Sequence, residues 1–575
     1  MTAYNAPIAD MRFVFEHVAG LREVAALPGL DHASPDVVDA VLEEAGRLAA
    51  NVLAPLNRTG DVEGAVLENG VVRTARGFKE AYRQFAEGGW MGLVFPEAYG
   101  GQNLPWLVNA AVSEMWNAAN LSFQLCPLLT QGAIEAILHH GTDEQREIYA
   151  TRLVSGAWSG AMCLTEPQAG SDVGAVRTRA VRDGDRYRLF GTKIFITYGE
   201  HDLTENIVHL VLARLDGAPA GTKGLSLFIV PKYLPNPDGS LGARNDMRCV
   251  SIEHKLGINA SPTCVMSYGD EEGAVGFLLG QENEGMRCMF TMMNNARLAV
   301  GNEGLGLAER AYQEALAYAQ QRVQGRHQGR PAAIIAYPDV RRMLFTMRAR
   351  IAAMRALCYW TAGFVDRSYR APDATARSLA ADRVALLTPM VKAWCTDLAQ
   401  EIASTAVQVH GGMGFIEETG VAQYYRDAKI LSIYEGTNGI QALDLAGRKL
   451  SLAGGELPWR LLEELGTELP SLPAELVPAL RPALEAVERA TRHLQASSDE
   501  DRAAGATPYL HLFSATLGGF LLARGAAAAA TTDAAGKDWP VLARFYVQHL
   551  LPPALALEQA VVAGVGTLDP DILAA

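Results

Sequence analysis

A single carboxylate, Glu435, stands between Tyr434 and a Gly-Thr-Asn-Gly turn, at the end of an apolar run in the stretch AKILSIYEGTNGIQ. A Glu beside a Gly is most often a solvated loop residue, because Glu is rarely buried unless it is paired or functional. A carboxylate in a dry pocket, by contrast, has a raised pKa and can act as a general base near neutral pH. Both interpretations of Glu435 are open on these residues alone.

A second stretch with chemical potential is MCLTEPQAGSDVGAVRT, residues 162–178. Its glycines let a backbone approach a flat polar ligand closely, and its hydroxyl and N–H groups can bind that ligand. An ordinary Gly-Ser-Asp turn is the alternative, and the local chemistry does not exclude it. The glycines of GNEGLG at 301–306 lie inside a helical pattern, so they do not indicate a dinucleotide-binding fingerprint, which needs a preceding strand.

The composition narrows the class of protein. A chain of 575 residues is too long for one hydrophobic core, and its formal net charge of −14 argues against a protein that coats nucleic acid. Seven widely spaced cysteines without a C-x-x-C pair are typical of core thiols in a reducing compartment, and no histidine spacing indicates a metal site. No signal peptide and no run of 18 apolar residues is present, so we expect a cytoplasmic protein that does not enter a membrane.

The elements that must position these residues follow a simple order. Helical periodicity fills the first part of the chain, β-rich runs begin at Arg177, and long helical patterns return at 285–322, about 338–368 and about 378–410. This order predicts an α+β fold with segregated layers and argues against alternating βαβ units. The predicted parts are an N-terminal extension (1–33), a helical domain (34–158), a β domain (159–280), a helical bundle (281–452) and an appended helical domain (470–575).

Several segments together resemble the FAD-dependent acyl-CoA dehydrogenase family, from about residue 40 to 450. The strongest match is CLTEPQAGSDVGA, the first signature of that family, and the α–β–α order predicted above is the fold of the family. The other matching segments are PEAYGG (96–101), KIFITYG (193–199), HKLGINASPT (254–263), QVHGGMGF (408–415), YRDAKI (425–430) and YEGTNGIQ (434–441).

The resemblance implies a set of FAD-binding residues. In the family the matching positions contact the flavin ring, the pyrophosphate or the cofactor of the neighbouring subunit. Gln324 lies in the stretch QRVQGR, which lacks the Phe that follows the matching Gln in the family. Gln423 stands where the second signature of the family usually has Lys or Arg. The residues carried over are Met162, Leu164, Thr165, Ser171, Phe195, Thr197, Arg322, Gln324, Gln408, Gly411, Gly412, Thr437 and Asn438.

The resemblance also gives Glu435 a role, as the base that takes the α-proton of an acyl-CoA thioester. In the family, a ribityl hydroxyl of FAD and the backbone N–H of this base polarise the thioester carbonyl. Some relatives carry the base directly before an Arg-Leu pair, but here that residue is Ala296, which cannot accept a proton. Candidate substrate-binding residues are Ser171, Lys223, Arg297, Tyr434, Gly436 and Arg448, although Lys223 and Arg448 are equally well explained as solvated charges.

The implied partners are an acyl-CoA substrate, electron-transfer flavoprotein as electron acceptor, and a second copy of the chain in a homodimer or a dimer of dimers. The length and the C-terminal extension are similar to a long bacterial branch of the family. The resemblance to that branch is the only support for a substrate with a 3-methylmercaptopropionyl or a short-to-medium straight acyl chain.

The alternative function is that of a flavin-retaining, DNA-associated relative of the alkylation-response type. Such a relative needs a basic appended domain, whereas residues 471–575 carry 7 Lys and Arg against 11 Asp and Glu.

Overall fold

The computed structural model describes residues 2–236, 238–530 and 536–573. The chain forms two compact units, a helical unit and a sheet unit, so the predicted segregation of α and β structure is confirmed. The helical unit combines Met1–Gly46, Pro105–Ala118 and Arg297–Ala575, and the sheet unit combines Arg47–Leu104 with Ala119–Ala296.

The strands of the sheet unit are β1 Val66–Glu68, β2 Val71–Arg73, β3 Trp158–Cys163, β4 Arg179–Asp183, β5 Arg186–Thr197, β6 Asn206–Leu215, β7 Leu225–Pro231, β8 Tyr233–Pro235, β9 Leu241–Arg244, β10 Met247–Ile252, β11 Thr263–Tyr268 and β12 Ala274–Leu279. The unit is built on an eight-stranded mixed sheet with the order β10-β11-β5-β12-β7-β6-β3, in which β4 pairs with β5 and β6. Most neighbours are antiparallel, whereas β6 is parallel to both β3 and β4. Two short hairpins, β1-β2 and β8-β9, belong to the same unit.

The strand sequences explain where the core of this sheet lies. In β5 the side chains alternate between buried and less buried positions, and Tyr187, Leu189 and Ile196 enter the hydrophobic core. Strand β6 is buried along most of its length, as a run rich in Val, Ile and Leu predicts. The prediction that strands begin at Arg177 was wrong, because β3 and the hairpin β1-β2, which lies within the predicted helical domain, precede it. With the sequence WSGAMC, β3 lacks β-branched residues, so only its parallel pairing with β6 defines it as a strand.

Helices of the sheet unit include Ala54–Glu63, Phe78–Glu87 and the part of Trp106–His140 that follows Ala118. This last helix is interrupted at Asn120, whose φ of −161° and ψ of 89° are not helical. The Asn120 Oδ1 accepts a hydrogen bond from the backbone N–H of Phe123 at 3.1 Å, which is the geometry of an N-cap for a second helical segment. Shorter α-helices lie at Asp143–Gln145 and Thr151–Val154.

The helical unit contains long helices where the sequence predicted them. Helix Gly285–Gln321 contributes its residues from Arg297 onward, and it is followed by helices Pro338–Arg370 and Ala374–His410. A short hairpin of β13 Val323–His327 and β14 Arg330–Ala333, which the sequence did not predict, lies between the first two. The other α-helices are Ile8–Val14, Leu21–Ala25, Pro35–Leu48, Val421–Leu431, Asn438–Asp444, Leu457–Glu468, Val477–Ala496, Asp499–Ala529, Trp539–Phe545, Leu551–Leu555, Leu557–Val562 and Pro570–Leu573.

A buried ion cluster joins three segments of the helical unit. Arg355 lies with its Nη2 2.5 Å from Glu114 Oε1 and 2.8 Å from Glu309 Oε2, and all three side chains are almost fully buried. Such a cluster holds the helices in register, because removal of one partner would leave an uncompensated buried charge. Residues beyond 452 group with the bundle in the same compact unit.

Two helices, Trp106–His140 and Asp499–Ala529, are long and apolar enough to cross a membrane. Of their apolar windows, 94% and 78% are buried inside the protein, as in core helices that pass the same test. They are therefore weak support for a membrane protein.

Candidate active site

Glu435 lies in a tight turn between helices Val421–Leu431 and Asn438–Asp444. Its φ is +54° and that of Gly436 is +83°, so two successive residues adopt left-handed backbone conformations. A Cβ at Gly436 would lie 2.8 Å from Gln441 Nε2, which explains a glycine there. For Glu435 this conformation costs about 1–2 kcal/mol, a strain that proteins commonly retain at functional sites.

Hydrogen bonds to the backbone hold this turn from several directions. Arg297 Nε and Gln441 Nε2 each donate to the carbonyl oxygen of Glu435 at 3.3 Å. The N–H of Asn438 donates to the carbonyl oxygen of Ser432 at 3.0 Å. Thr437 is the N-cap of the following helix, since its Oγ1 accepts from the Ile440 N–H at 3.2 Å. The surroundings therefore determine the strained conformation.

A buried lysine, which the sequence analysis missed, fixes the far side of the turn. Lys392 on helix Ala374–His410 is fully buried and its Nζ donates to Asn438 Oδ1 at 2.8 Å. The Nδ2 of Asn438 donates to Asp397 Oδ1 at 2.7 Å and to Thr396 Oγ1 at 2.9 Å. The Asn438 amide, predicted to lie beside the cofactor, is thus engaged by the chain itself. A Lys in the apolar run LLTPMVKAW was the available signal, because Lys is almost never fully buried without a partner.

The electrostatics of this turn suit a base. Burial raises the pKa of Glu435 to about 7, and the positive charges of Arg297 and Lys392 oppose that rise. Within the described residues, the Glu435 carboxylate has neither a hydrogen bond nor an ion pair. Burial also lowers the pKa of Lys392 to about 8, against the attraction of Glu435 and other carboxylates. Near neutral pH, Glu435 can therefore exchange a proton without first breaking an ion pair.

A second carboxyl group lies beside the turn. Glu303 on helix Gly285–Gln321 is fully buried and its Oε2 accepts a hydrogen bond from the Tyr434 hydroxyl. The sequence GNEGLG predicted only a helix, and Glu303 had no predicted role. The signal available was a lone charge in a run of small and apolar residues. Tyr434 was predicted as a substrate-binding residue, and the structure engages its hydroxyl with Glu303.

In the sheet unit, the loop after β3 is fixed by a buried ion pair. Lys193 Nζ lies 2.8 Å from Glu166 Oε1 and also 2.8 Å from the carbonyl oxygen of Leu164. Burial opposes ionisation of Glu166, but Lys193 and the hydrogen bonds of Thr178 and Arg177 lower its pKa to about 2. Both residues belong to the motifs 162–178 and 193–199, yet the sequence analysis gave neither a role.

The predicted flavin-contacting residues of this loop and of β5 are compatible with a flat polar ligand. Phe195 has a left-handed φ of +58° and is 59% exposed, outside the hydrophobic core. Thr165 and Thr197 are half-buried and Ser171 is exposed, and within the described residues none of their hydroxyls has a partner. Met162 is half-buried in strand β3, and Leu164 is 8% exposed at the start of the loop. An exposed aromatic face with free hydroxyls nearby fits the isoalloxazine and polar groups of FAD.

The remaining predicted residues lie apart from the Glu435 turn. Arg322 and Gln324 are exposed at hairpin β13-β14, and Arg322 Nη2 donates to Gln324 Oε1 at 3.3 Å. Gln408 is exposed in the last turn of helix Ala374–His410. The exposed Gly411 and Gly412 follow it, and a Cβ at either would meet no atom within 4 Å.

The two basic candidates for CoA phosphates are also exposed. Lys223 lies in the short turn between β6 and β7. Arg448 pairs with Asp444 one helical turn earlier, with its Nε 2.7 Å from Asp444 Oδ1. Across the described part of the chain, no group of three or more His, Cys, Asp or Glu side chains is arranged to hold a metal ion.

Comparison with known proteins identifies the family. Models of the N-terminal, middle and C-terminal domains of acyl-CoA dehydrogenase match residues 38–157, 161–270 and 283–450, and a model described as acetyl-CoA dehydrogenase C-terminal like matches 462–568. The chain belongs to the acyl-CoA dehydrogenase family. The predicted fold, the acyl-CoA dehydrogenase activity and FAD as cofactor are therefore confirmed.

Three individual comparisons extend this result. The chain is 48% identical, over 93% of each chain, to 3-methylmercaptopropionyl-CoA dehydrogenase of Ruegeria pomeroyi. It is similar to a chain in the structure of the electron transferring flavoprotein of Acidaminococcus fermentans, with a TM-score of 0.60 and 28% identity over 73% of this chain and 98% of that chain. The FAD-complexed acyl-CoA dehydrogenase of Bacillus anthracis shares the fold, with a TM-score of 0.75 and 23% identity over 94% and 89% of the two chains.

Proposed function

We propose that Glu435 is the base that removes the α-proton of an acyl-CoA thioester. The observation that carries this proposal is the combination of a strained turn and a half-buried carboxylate that has no hydrogen-bond or ion-pair partner among the described residues, and whose pKa burial raises to about 7. An unpaired carboxylate with a raised pKa is poised to accept a proton near neutral pH. A solvated loop glutamate would need neither the strain nor the burial.

The backbone of the same residue supplies a second function. Within the described residues, the N–H of Glu435 donates to no protein acceptor, whereas its carbonyl oxygen accepts two hydrogen bonds. A free N–H in a dry site can donate to the thioester carbonyl oxygen, and this acidifies the α-position as charge develops on that oxygen. Arg297 and Gln441 keep the peptide oriented, so the donor is pre-organised.

The FAD-binding residues that the sheet unit contributes are inferred to be Thr165, Ser171, Phe195 and Thr197. When bound, FAD accepts the hydride lost from the β-carbon, which completes the C=C bond. The exposed Phe195 ring and the free hydroxyls support this assignment. The Lys193–Glu166 pair has a supporting role, because it fixes the backbone that carries Leu164 and Thr165.

For the substrate we propose 3-methylmercaptopropionyl-CoA, supported by the 48% identity to the Ruegeria enzyme of that name over 93% of each chain. We further propose electron-transfer flavoprotein as the acceptor, a cytoplasmic location, and a homodimer in which Arg322 and Gln408 contact the partner's cofactor. The exposure of both side chains is compatible with that contact. The alternative of a DNA-associated relative has no support in the comparisons.

The test is Glu435→Gln, which preserves shape but cannot accept the proton. With 3-methylmercaptopropionyl-CoA, butyryl-CoA and an artificial electron acceptor, we expect turnover to fall about 10²–10⁴-fold while flavin content and acyl-CoA binding persist. Glu418→Gln removes an exposed carboxylate 17 residues earlier in the chain; it is the matched control and should keep its activity. Near-normal turnover of Glu435→Gln with its flavin retained would overturn the assignment of the base. A preference of the wild-type protein for butyryl-CoA would overturn only the proposed substrate.

A further inference from the structure

Glu303 is a fully buried carboxyl group for which the proposed reaction has no use. Its Oε2 accepts the Tyr434 hydroxyl, while its Oε1 is buried without a hydrogen-bond partner in the described chain. Among the described residues, no Lys, Arg or His nitrogen lies within ion-pair distance of it. A carboxylate with one hydrogen bond and no cation in contact would be poorly compensated, because burial of an ionised group costs far more than burial of a neutral acid.

The groups that face Glu303 come from two other elements. Tyr434 and Glu435 face it from the turn, and Lys392 faces it from helix Ala374–His410. The helix of Glu303 also carries Arg297, whose positive charge lowers the pKa of Glu435 and whose Nε donates to the Glu435 carbonyl oxygen. Two neighbouring carboxyl groups that interact electrostatically do not ionise independently, and the second proton is held more tightly than the first.

The hydrogen bond also has a geometric consequence. Tyr434 immediately precedes Glu435, whose φ of +54° is strained. Arg297 and Gln441 hold the carbonyl side of Glu435, and the Tyr434 hydroxyl is the contact that anchors the preceding side chain to a long helix. A strained turn persists only where such contacts over-determine it.

We propose that Glu303 is a positioning residue of this site: a neutral carboxylic acid that anchors Tyr434, and through it the Glu435 turn, and that loses its proton only after Glu435 has ionised. This inference rests on the proposed function of Glu435. Burial raises the pKa of Glu303 to about 8, and the Glu435 charge adds to the rise while the Tyr434 hydrogen bond and Lys392 oppose it. When Glu303 finally ionises, the adjacent negative charge makes Glu435 a stronger base. The rate with acyl-CoA should then rise in two steps with pH.

The experiment uses the FAD-loaded full chain with 3-methylmercaptopropionyl-CoA. Glu303→Gln keeps an acceptor for Tyr434 but cannot ionise, so its profile of kcat/KM against pH should show the Glu435 step alone, without the upper step of the wild type. Infrared difference spectra should show a protonated carboxyl band that persists above the Glu435 step and is absent from Glu303→Gln. Glu314→Gln on the same helix, about 16 Å further along at 1.5 Å per residue, is the matched control and should keep both steps.

Glu303→Leu and Tyr434→Phe test the anchor, since each removes the hydrogen bond. We expect either to lower kcat about tenfold relative to Glu303→Gln, with little change in KM, and we expect the double variant to lose no more. If Glu303→Leu does not fold, Tyr434→Phe carries the same test. An upper pH step that survives in Glu303→Gln, or additive losses in the double variant, would overturn the inference. If Glu435→Gln turns over normally, the proposed base fails instead, so the two failures are distinguishable.

Discussion

Lys392→Gln isolates the effect of one buried positive charge on the base. Glutamine can still donate to Asn438 Oδ1, which accepts from Lys392 Nζ at 2.8 Å, but it carries no charge. Because Lys392 lowers the pKa of Glu435 from the value that burial alone would give, its replacement should raise that pKa above 7. Glu435 must be deprotonated to act as a base, so activity should then appear only at higher pH.

The size of the shift follows from the geometry. A cation in direct contact lowers the pKa of a carboxyl group by about 1–3 units. Lys392 is outside ion-pair distance of Glu435 in the described chain, which favours the low end, about one unit. With a midpoint near 8 in place of 7, the ionised fraction of Glu435 falls about fivefold at pH 7 and about ninefold at pH 6. Lys392 itself loses its proton at about pH 8, so the difference between the two proteins should shrink as the pH rises above 8.

The assay is kcat/KM for acyl-CoA between pH 5.5 and about 9.5, with flavin content measured at each pH. Lys449→Gln removes another buried lysine of the helical unit, which pairs with Asp444 at 3.8 Å and does not act on Glu435. It should leave the midpoint unchanged. A loss of the same factor at every pH in Lys392→Gln would show that Lys392 acts only through structure, and would refute the electrostatic reasoning.

Two further predictions concern the cofactor. Lys193→Met should lower the FAD content of the purified protein, because it leaves Glu166 as an uncompensated buried charge under the Leu164–Thr165 loop. The ratio of flavin absorbance to protein absorbance measures this content. Full flavin content in the variant would contradict the role of the Lys193–Glu166 pair. Arg322→Ala should lose FAD without loss of helical circular dichroism if Arg322 contacts the cofactor of the second subunit, and full flavin in a monomeric fraction would refute that assignment.

Much of the fold follows from helical periodicity. The pattern at 285–322 corresponds to helix Gly285–Gln321, and the pattern at about 378–410 corresponds to helix Ala374–His410. Local periodicity succeeds here because both helices are long and carry apolar residues at helical spacing. It fails at strand β3, whose small residues become a strand only by pairing with β6, and at hairpin β13-β14, whose residues are largely exposed.

The candidate site was predictable only where a motif marked it. Glu435, Tyr434 and Thr437 are sequence neighbours in one motif, so their proximity in the turn follows directly. Lys392 and Glu303 come from two different long helices, 43 residues before and 132 residues before the base, and only the packing of those helices brings them to it. Contacts of such long range have no local signature apart from a charge in an apolar run.

The separation between Glu435 and its cations is itself a requirement of the chemistry. A cation in direct contact would hold the carboxylate as an ion pair, and its pKa would fall well below the neutral range, as that of Glu166 does beside Lys193. Without any cation, burial alone would keep Glu435 protonated at neutral pH. Arg297 avoids both extremes, because its Nε donates to the Glu435 carbonyl oxygen at 3.3 Å and contributes its charge without binding the carboxylate. Lys392 does the same through Asn438, so both cations serve as structural anchors while the base remains free to take a proton.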